Sequence, residues 1–485
     1  LSNFEILKFT NAIAAGLTTA NVQAGITTVD LNGGTDAETI VMEAGAKTVK
    51  IGAVNTGTLT VTDTGTATTD SLTVTNTGAA VDMFTTTGLV VNGYETVTIN
   101  GSGTGAATSQ DASVITLTAD TGGTSTLNLT GSNTFTTSGA ITANVISASG
   151  LTGTAKLTMA AAAASGLTSI TGSANADTLL GDASSSIDGG AGNDTITGGS
   201  GNDTLVGSAG DDSITAAAGN DSISAGAGND SVTIAGNLTA VDTLAGGDGT
   251  DTLSIGTAAA TLATAANVSG FETLAVTTAG LTTDLSVYAT NNTITRLNEV
   301  GAAGTYTVTG ASSAFTTLAA GTAADTFVFS RATNTAADSL TFIALTAATT
   351  TALTAAGEET LTLQSSSTGQ ATITDITDAA LTKLLITGTG GVTVTNALTG
   401  TTALATITDS HTGTGTLTVN ATNSTANITF TSGTATGTTT LTTGTGNDII
   451  TAGAGILVAT AGTGNDSVTG STLDDTIDGG AGNDT

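Results

Sequence analysis

Apolar and polar residues alternate over short stretches along much of the chain. Thr58–Thr62 reads Thr-Leu-Thr-Val-Thr, and Thr96–Asn100 reads Thr-Val-Thr-Ile-Asn. This period of two places alternate side chains on opposite faces and predicts β-strands with one buried face. Gly, Asn and Asp separate the stretches and supply turns, while Thr and Gly are poor helix formers. The pattern predicts an all-β chain, built of stacked β-helix rungs or of sandwich-like segments.

One contiguous stretch, Gly189 to Thr233, repeats every nine residues, beginning Gly-Gly-Ala-Gly-Asn-Asp-Thr-Ile-Thr. The Gly- and Asn-rich part of each copy suits a turn, because these residues tolerate left-handed backbone. The last three residues suit a short strand with one inward side chain. The eighth position is always a large aliphatic residue: Ile196, Leu205, Ile214, Ile223 and Val232. Two copies would make one rung of a two-sided coil, so that turns eighteen residues apart stack.

An Asp occupies the sixth position of each of these five copies. Asp194, Asp212 and Asp230 would lie along one edge of the coil, and Asp203 and Asp221 along the other. Stacked carboxylates one strand spacing apart, roughly 4.8 Å, repel one another unless a cation lies between them. Carboxylate and backbone carbonyl oxygens suit a hard cation. A metal-free solenoid closed by Gly, Asn and Asp turns is the alternative.

Weaker copies of the same pattern extend the set of acidic turns. Gly172–Leu180 carries Asp177, and Gly246–Ser254 carries Asp251 out of phase with the block. A second block begins at Thr443 and keeps the nine-residue register, although Leu457 replaces one Asp. The full set of candidate metal ligands is Asp177, Asp194, Asp203, Asp212, Asp221, Asp230, Asp251, Asp448, Asp466, Asp475 and Asp484.

These copies resemble the RTX (repeats-in-toxin) nonapeptide, Gly-Gly-x-Gly-x-Asp-x-aliphatic-x. The resemblance implies a parallel β-roll in which Ca²⁺ lies between successive turns on one edge. Some copies depart from the pattern: Ser208 replaces the second Gly in one, and Ala216 and Ala217 replace both in the next. If Ala217 needs the positive φ of the family, its turn is strained and its site is weakened.

The composition narrows the class of protein. The chain has 39 acidic and 7 basic residues, a net charge of −32, which excludes a basic surface for nucleic acid. No run approaches the roughly 20 apolar residues of a membrane-spanning helix. Cys and Pro are both absent, so disulfides cannot hold the fold and turns must use Gly, Asn and Asp. Only 3% of residues are aromatic, which suits thin solenoid layers.

The sequence predicts no enzyme. The chain contains one His and no Cys, which excludes His-pair metal sites and thiol catalysis. His411 lies in Asp-Ser-His-Thr-Gly, a sequence that predicts a surface turn. A fainter aromatic-Glu motif, as in Tyr94-Glu95 and Phe271-Glu272, predicts an aromatic core residue and a local capping role for the Glu.

Four segments follow from these patterns. Residues 1–170 and 256–440 are Thr-rich β segments, 171–255 is an RTX-like β-roll, and 441–485 is a second RTX-like block that stops within a repeat. This mosaic resembles RTX-type bacterial surface-layer (S-layer) proteins.

The resemblance implies a structural protein secreted by a type I system to the bacterial cell surface. It implies a lattice of copies of itself assembled with Ca²⁺, and contact with cell-surface polysaccharide through a region outside this chain. An RTX adhesin stalk and the calcium-binding carrier part of a secreted exoenzyme are the alternatives.

Overall fold

The computed structural model of the chain describes all residues except 1–4, 10–17, 20–24, 33–37, 54–56, 79–81, 85–87, 102–108, 113, 121, 163–165, 235–237, 239–240, 257–266, 279, 281, 289–290, 301–302, 322–323, 345–348 and 366–369. The chain forms two compact units. The first unit contains Leu1–Gly236 and Val241–Asp251, and the second contains Asn237–Ala240 and Thr252–Thr485.

Strands of the first unit form three parallel sheets. One sheet contains Ile6–Phe9, Thr28–Leu31, Lys47–Ile51, Ser71–Asn76, Thr96–Asn100, Thr126–Gly131, Val145–Leu151, Ser169–Thr171, Ser186–Ala191, Thr204–Ala209, Ser222–Ala227 and Thr243–Asp248. A second contains Thr18–Thr19, Glu38–Met42, Leu59–Asp63, Leu89–Asn92, Ile115–Thr118 and Ile141–Thr142. A third contains Ser109–Ala112, Thr134–Thr137, Leu157–Met159, Thr178–Leu180, Thr195–Thr197, Ser213–Ala216 and Ser231–Ile234.

Strands of the second unit form two long parallel sheets. One contains Thr252–Ile255, Thr273–Val276, Arg296–Glu299, Thr317–Ala320, Ser339–Ala344, Thr360–Ser365, Lys383–Gly388, Thr406–Asp409, Thr429–Ser432, Ile449–Thr451 and Ser467–Thr469. The other contains Thr282–Asp284, Thr305–Ala311, Asp325–Arg331, Thr349–Ala356, Ala371–Thr377, Val392–Ala397, Leu417–Asn420, Thr439–Thr442, Leu457–Thr460 and Thr476–Asp478. A short strand, Val268–Ser269, and a short 3₁₀ helix, Leu285–Val287, are also described.

Each strand inside a sheet pairs in parallel with the strand one rung before and the strand one rung after it. The register stacks like side chains: Ile187, Leu205 and Ile223 are successive partners in one sheet. Leu179, Ile196, Ile214 and Val232 are successive partners in the other. These apolar side chains are buried. The predicted all-β solenoid is therefore confirmed, and the sandwich alternative for the Thr-rich segments is wrong, because those strands also pair in parallel.

The Thr-rich stretches of each unit follow the predicted alternation. Ser71–Asn76 alternates half-buried and buried side chains along its length, with Leu72 and Val74 inward. Thr side chains occupy many of the alternate positions, which suits β-branched residues on a pleated surface. The same inward-outward pattern thus continues from the Thr-rich strands into the repeats. The division into four segments stays a prediction.

The few aromatic residues concentrate inside the solenoid. In the second unit Tyr306 stacks on Phe327 at 5.4 Å between ring centroids, and Phe327 meets Phe342 edge-on at 5.5 Å. In the first unit Tyr94 is buried, as the aromatic-Glu motif predicts. Its neighbour Glu95 accepts backbone N–H bonds from two adjacent rungs, which is the predicted capping role.

A buried ion pair fixes one side of the second unit. The Arg331 guanidinium donates to both carboxylate oxygens of Glu358, at 2.7 and 2.9 Å. It also donates to the carbonyl oxygens of Ser312, Phe315 and Ser339. Both side chains are almost fully buried. The bidentate geometry and the carbonyl acceptors satisfy the guanidinium, which is the condition for keeping such a charge inside a protein.

No helix among the described residues is both long and apolar enough to span a lipid bilayer.

Candidate metal centre

The repeat turns bring backbones of successive rungs into close contact. The second and fourth positions of the first good copy, Gly190 and Gly192, have φ values of 99° and 107°. A side chain at Gly210 would collide with the carbonyl oxygen of Gly192, one rung earlier. Gly is therefore needed at these positions both for its positive φ and for the close approach. The result is a stack of turns whose carbonyl oxygens crowd one edge.

Backbone strain occurs in the turn at Ser208 and not in the turn at Ala217. Ser208 has a φ of 81° and is the one non-Gly residue with positive φ among those described. Its hydroxyl donates to Oδ1 of Asp188 at 2.9 Å. Ala217, where strain was predicted, does not adopt positive φ. The condition for strain at Ala217 is therefore not met, and in this turn Gly219 takes the positive φ, at 150°.

The Asp side chains form a ladder along one edge of the first unit. Oδ1 of Asp212 accepts the backbone N–H of Asp194 at 2.7 Å, and Oδ1 of Asp230 accepts that of Asp212 at 2.8 Å. The ladder extends to Asp177, whose N–H donates to Asp194, and to Asp251, which accepts from Asp230 at 2.8 Å. Asp251 thus stacks in line although its copy is out of phase in sequence, because its rung is longer by three residues, 21 against 18.

A second ladder runs along the opposite edge. Asp203 donates its N–H to Oδ1 of Asp221 at 2.9 Å, and Asp221 donates to Asp242 at 2.8 Å. Ser185 begins this ladder by donating to Asp203. The two-edge arrangement is the one the repeat predicts. Asp242 is absent from the predicted set, because the residues before it lack the Gly pattern of the repeat. The signal that could have identified it is the Asp-Thr-Leu triplet that begins at Asp242 and again at Asp251.

The second block forms a shorter ladder of the same kind. Asp448 donates its N–H to Asp466 at 2.7 Å, and Asp466 donates to Asp484 at 3.1 Å. On the other edge Oδ1 of Asp475 accepts the N–H of Leu457 at 2.7 Å. The Leu457 turn supplies no carboxylate, as its sequence predicts. Asp475 is half-buried and Asp484 is exposed, so these two carboxylates differ in solvation from the buried ones.

The second carboxylate oxygens of these ladders lack donors. Oδ2 is buried and accepts no hydrogen bond within the described part of the chain in Asp194, Asp203, Asp212, Asp230, Asp448 and Asp466. A side chain at Gly189 would collide with Oδ2 of Asp194 and come within 3.0 Å of the carbonyl oxygen of Gly207. Buried oxygens thus face a gap next to the turn. Oxygen ligands without N or S donors fit Ca²⁺.

Most oxygen ligands of such an ion would be backbone carbonyls. No three carboxylate or imidazole groups converge on one point among the residues with described positions. Ca²⁺ takes six to eight oxygen ligands in proteins. Each ion in these turns would therefore take its Asp carboxylates from adjacent rungs and complete its shell with turn carbonyls and water.

Burial raises the pKa of several ladder carboxyls. The pKa of Asp194 rises to about 7 and that of Asp212 to about 6, first because burial disfavours the charged form and then because neighbouring carboxylates repel it. The pKa values of Asp177, Asp203, Asp221, Asp230, Asp251 and Asp466 are raised with burial as the first cause. Asp475 differs: the N–H of Leu457 lowers its pKa. Charged ladders therefore destabilise the fold at neutral pH unless a cation neutralises them.

His411 lies inside the second unit, which corrects the prediction of a surface turn. It is 1% exposed, and its Nδ1 lies 2.6 Å from Oδ1 of Asp409. Nε2 lies 3.1 Å from the carbonyl oxygen of Gly415. The hydrogen bond to Asp409 raises the pKa of His411. The local sequence is polar, but neighbouring rungs cover the turn, and a single-rung pattern carries no information about that cover.

The comparisons with known proteins agree with this geometry. The family model described as the RTX calcium-binding nonapeptide repeat (4 copies) matches residues 171–205, 183–214, 197–232, 240–256, 434–455 and 459–485. These matches cover both blocks of Asp turns, including the rung of Asp242. No curated protein shows significant similarity to the chain. Since RTX nonapeptide repeats bind calcium, the cofactor of these turns is Ca²⁺, and the chain carries RTX calcium-binding repeats within a parallel β-solenoid.

Proposed function

We propose that the chain is a structural subunit of a bacterial surface layer, which folds and self-assembles when its turns bind Ca²⁺ outside the cell. The observation that carries the proposal is the pair of Asp ladders with buried, donor-free Oδ2 atoms in a solenoid without disulfides. RTX repeats are typical of secreted proteins, and calcium is abundant outside cells and scarce in the cytosol.

Linkage explains how calcium would control the fold. At low calcium the charged ladders repel, which destabilises the folded state and keeps the chain competent for export. Extracellular sites of this chemistry bind with dissociation constants of roughly 10⁻⁴–10⁻³ M. Each site adds about 1.4 kcal/mol of stability when free calcium is ten times the dissociation constant. Several sites acting together would then stabilise a fold with few aromatic residues.

Charge neutralisation also favours assembly in calcium. With a net charge of −32, copies of the chain repel one another over the Debye length, about 8 Å at physiological ionic strength. Divalent ions that bind the ladders reduce this repulsion. The Thr side chains on the outer faces of the parallel sheets would supply the contact surface between copies.

A structural role is favoured over a catalytic one. The single His of the chain is buried, and both of its ring nitrogens are engaged, by Asp409 and by the carbonyl oxygen of Gly415. Ser432 donates to Asp409 and not to the imidazole. A nucleophile-base pair needs the hydroxyl against the imidazole and access for a substrate. This arrangement supports a packing role for the three side chains.

A calcium titration of the purified chain tests the proposal. Far-UV circular dichroism would follow strand formation, and negative-stain microscopy of the same samples would follow assembly, with Mg²⁺ as the control ion. β signal together with ordered sheets that dissolve in chelator supports a surface-layer subunit. Folded single particles would argue instead for an adhesin stalk or an exoenzyme carrier. A chain that ignores calcium in both assays contradicts the linkage argument.

A further inference from the structure

Two buried carboxyl groups face each other in the first unit, outside the repeat blocks. Asp63 ends the strand Leu59–Asp63, and Asp70 directly precedes the strand Ser71–Asn76. Asp63 is 7% exposed and Asp70 is 3% exposed. Oδ1 of Asp63 accepts the N–H of Gly65 at 2.9 Å, and Oδ1 of Asp70 accepts that of Gly45 at 2.6 Å. Oδ2 of each is buried and faces no donor, and burial, followed by the neighbouring Asp70 carboxyl, raises the pKa of Asp63 to about 6.

The Tyr94 hydroxyl adds an independent sign of a missing ligand. Tyr94 is fully buried, and its hydroxyl has no hydrogen-bond partner. Burial and then the charges of Asp63 and Asp70 raise its pKa, so the hydroxyl lies within the field of both carboxylates. Buried tyrosine hydroxyls normally find a partner, and an unsatisfied one is costly. The hydroxyl and both Oδ2 atoms therefore leave one site incompletely satisfied.

A third acid lies on the adjacent rung. Glu95 holds the site together, because its carboxylate accepts the N–H groups of Asp70 at 2.9 Å and of Asp120 at 3.2 Å. Oδ2 of Asp120 is also buried without a partner. A side chain at Gly93 would lie 3.0 Å from Cβ of Asp63 and 3.5 Å from Oδ1 of Asp120, so both acids lie beside Gly93.

No positive side chain compensates these acids among the described ion pairs, which involve other residues. A single proton shared by Asp63 and Asp70 would satisfy that pair alone, and would leave the Tyr94 hydroxyl and Asp120 Oδ2 without partners. A cation with several oxygen ligands can satisfy more of these groups at once. Its ligands have the same chemistry as those of the repeat turns.

We propose that Asp63 and Asp70 hold a hard divalent cation, Ca²⁺ in an extracellular medium, at a site separate from the RTX repeats. The two carboxylates supply the charged ligands, backbone carbonyls and water complete the shell, and the bound waters can donate to the Tyr94 hydroxyl oxygen and to Oδ2 of Asp120. The site lies next to an aromatic side chain, whereas residues 171–255 contain no Tyr or Trp. That difference allows the ion here to be observed separately from ions in the repeats.

Terbium luminescence excited through tyrosine tests this site. Tb³⁺ is a probe for oxygen-ligated calcium sites, and a nearby phenol ring transfers excitation energy to it. We expect Tb³⁺ bound to the full chain to show tyrosine-sensitised emission that decreases in Tyr94→Phe and is kept in Tyr288→Phe, since Tyr288 is buried with no carboxylate contributing to its raised pKa. Excess Ca²⁺ should abolish the emission by competition.

Ligand variants separate this site from the repeats. Asp63→Asn with Asp70→Asn should remove the Tyr94-dependent emission and one bound Ca²⁺ per chain, whereas Asp194→Asn with Asp212→Asn should lower total calcium and keep that emission. Circular dichroism confirms that each variant folds. If the double Asn variant does not fold, the Tb³⁺ emission of Tyr94→Phe compared with that of the unsubstituted chain still tests whether an ion lies beside Tyr94. Absent Tyr94-dependent emission, with normal Tb³⁺ binding to the repeats, overturns the proposal and leaves a shared proton between the two acids.

Discussion

Replacing Asp194 by Asn should stabilise the fold without calcium and weaken its response to calcium. Asn has the shape of Asp and keeps an oxygen for the N–H of Asp177, but it carries no charge. Asp194 is 1% exposed and has a donor-free Oδ2, so its charge is poorly solvated. The substitution therefore removes a buried charge and retains the hydrogen bond of the ladder.

The magnitude follows from the pKa. Without calcium the pKa of Asp194 is about 7 in the folded chain, against 3.8 as the ordinary value. Since one pKa unit corresponds to 1.36 kcal/mol, the charged carboxylate destabilises the fold by at most about 4 kcal/mol above pH 7. The folded state binds the proton more tightly, so stability falls as pH rises between these two values. The advantage of Asn should therefore vanish below about pH 4.

Calcium changes the comparison because it binds the charged form. At ten times the dissociation constant each lost site removes about 1.4 kcal/mol of the stabilisation that calcium provides. The difference in unfolding free energy between calcium and chelator should thus be smaller in Asp194→Asn than in the unsubstituted chain. Urea unfolding followed by far-UV circular dichroism measures that difference, in calcium and in chelator, at pH 7 and at about pH 4.

Glu43→Gln is the matched control, because Glu43 is exposed in the same unit and its substitution removes the same charge. It should change stability little in either medium. The reasoning is refuted if Asp194→Asn does not gain stability in chelator at neutral pH, or if its calcium response equals that of the unsubstituted chain.

Three further predictions concern strain, a buried ion pair and a buried imidazole. Ser208→Gly should raise the urea midpoint by the equivalent of about 1 kcal/mol by relieving the positive φ, whereas Ala217→Gly should give no gain, and equal effects would contradict the strain. Arg331→Met should lower the unfolding free energy by roughly 3–5 kcal/mol, because it leaves Glu358 buried and unpaired. Adding Glu358→Gln should restore part of this loss. If it restores none, the unpaired charge is not the cause. The pKa of His411 should lie above its ordinary value of 6.5, because its ring hydrogen-bonds to Asp409, and its stabilising contribution, present below pH 6.5, should be lost as pH rises through the folded pKa; a pKa at or below 6.5 in a ¹⁵N NMR pH titration would contradict this.

The sequence predicts the acidic ladders well because one repeat encodes both the turn and the strand. The alternation of Asp194 and Asp203 between edges follows from two nine-residue copies per rung. Asp242 escaped prediction because a ladder position depends on stacking, and its rung reaches that position without the Gly pattern. Where a turn keeps its Asp-Thr-Leu but loses its Gly residues, the nonapeptide alone is insufficient.

Outside the repeats the sequence predicts strands but not how they pair or which residues their neighbours bury. Period-two alternation describes a strand equally well in a parallel or an antiparallel sheet, so the Thr-rich segments fitted either a solenoid or a sandwich. Burial in a solenoid also depends on the rungs above and below a residue. This is why His411 looked like a turn residue and why the facing of Asp63 and Asp70, seven positions apart in sequence, gave no recognisable motif.

Pairing between adjacent rungs has a consequence for how the chain acquires its structure. Ladder bonds join residues only 17 to 21 positions apart, so each new rung requires closure of a short loop. Low sequence separation favours rapid folding, and a repeat array can nucleate at any rung and propagate to its neighbours. The chain contains no Pro to impose a slow isomerisation. A chain that meets calcium from one end can therefore fold rung by rung, without waiting for the remainder.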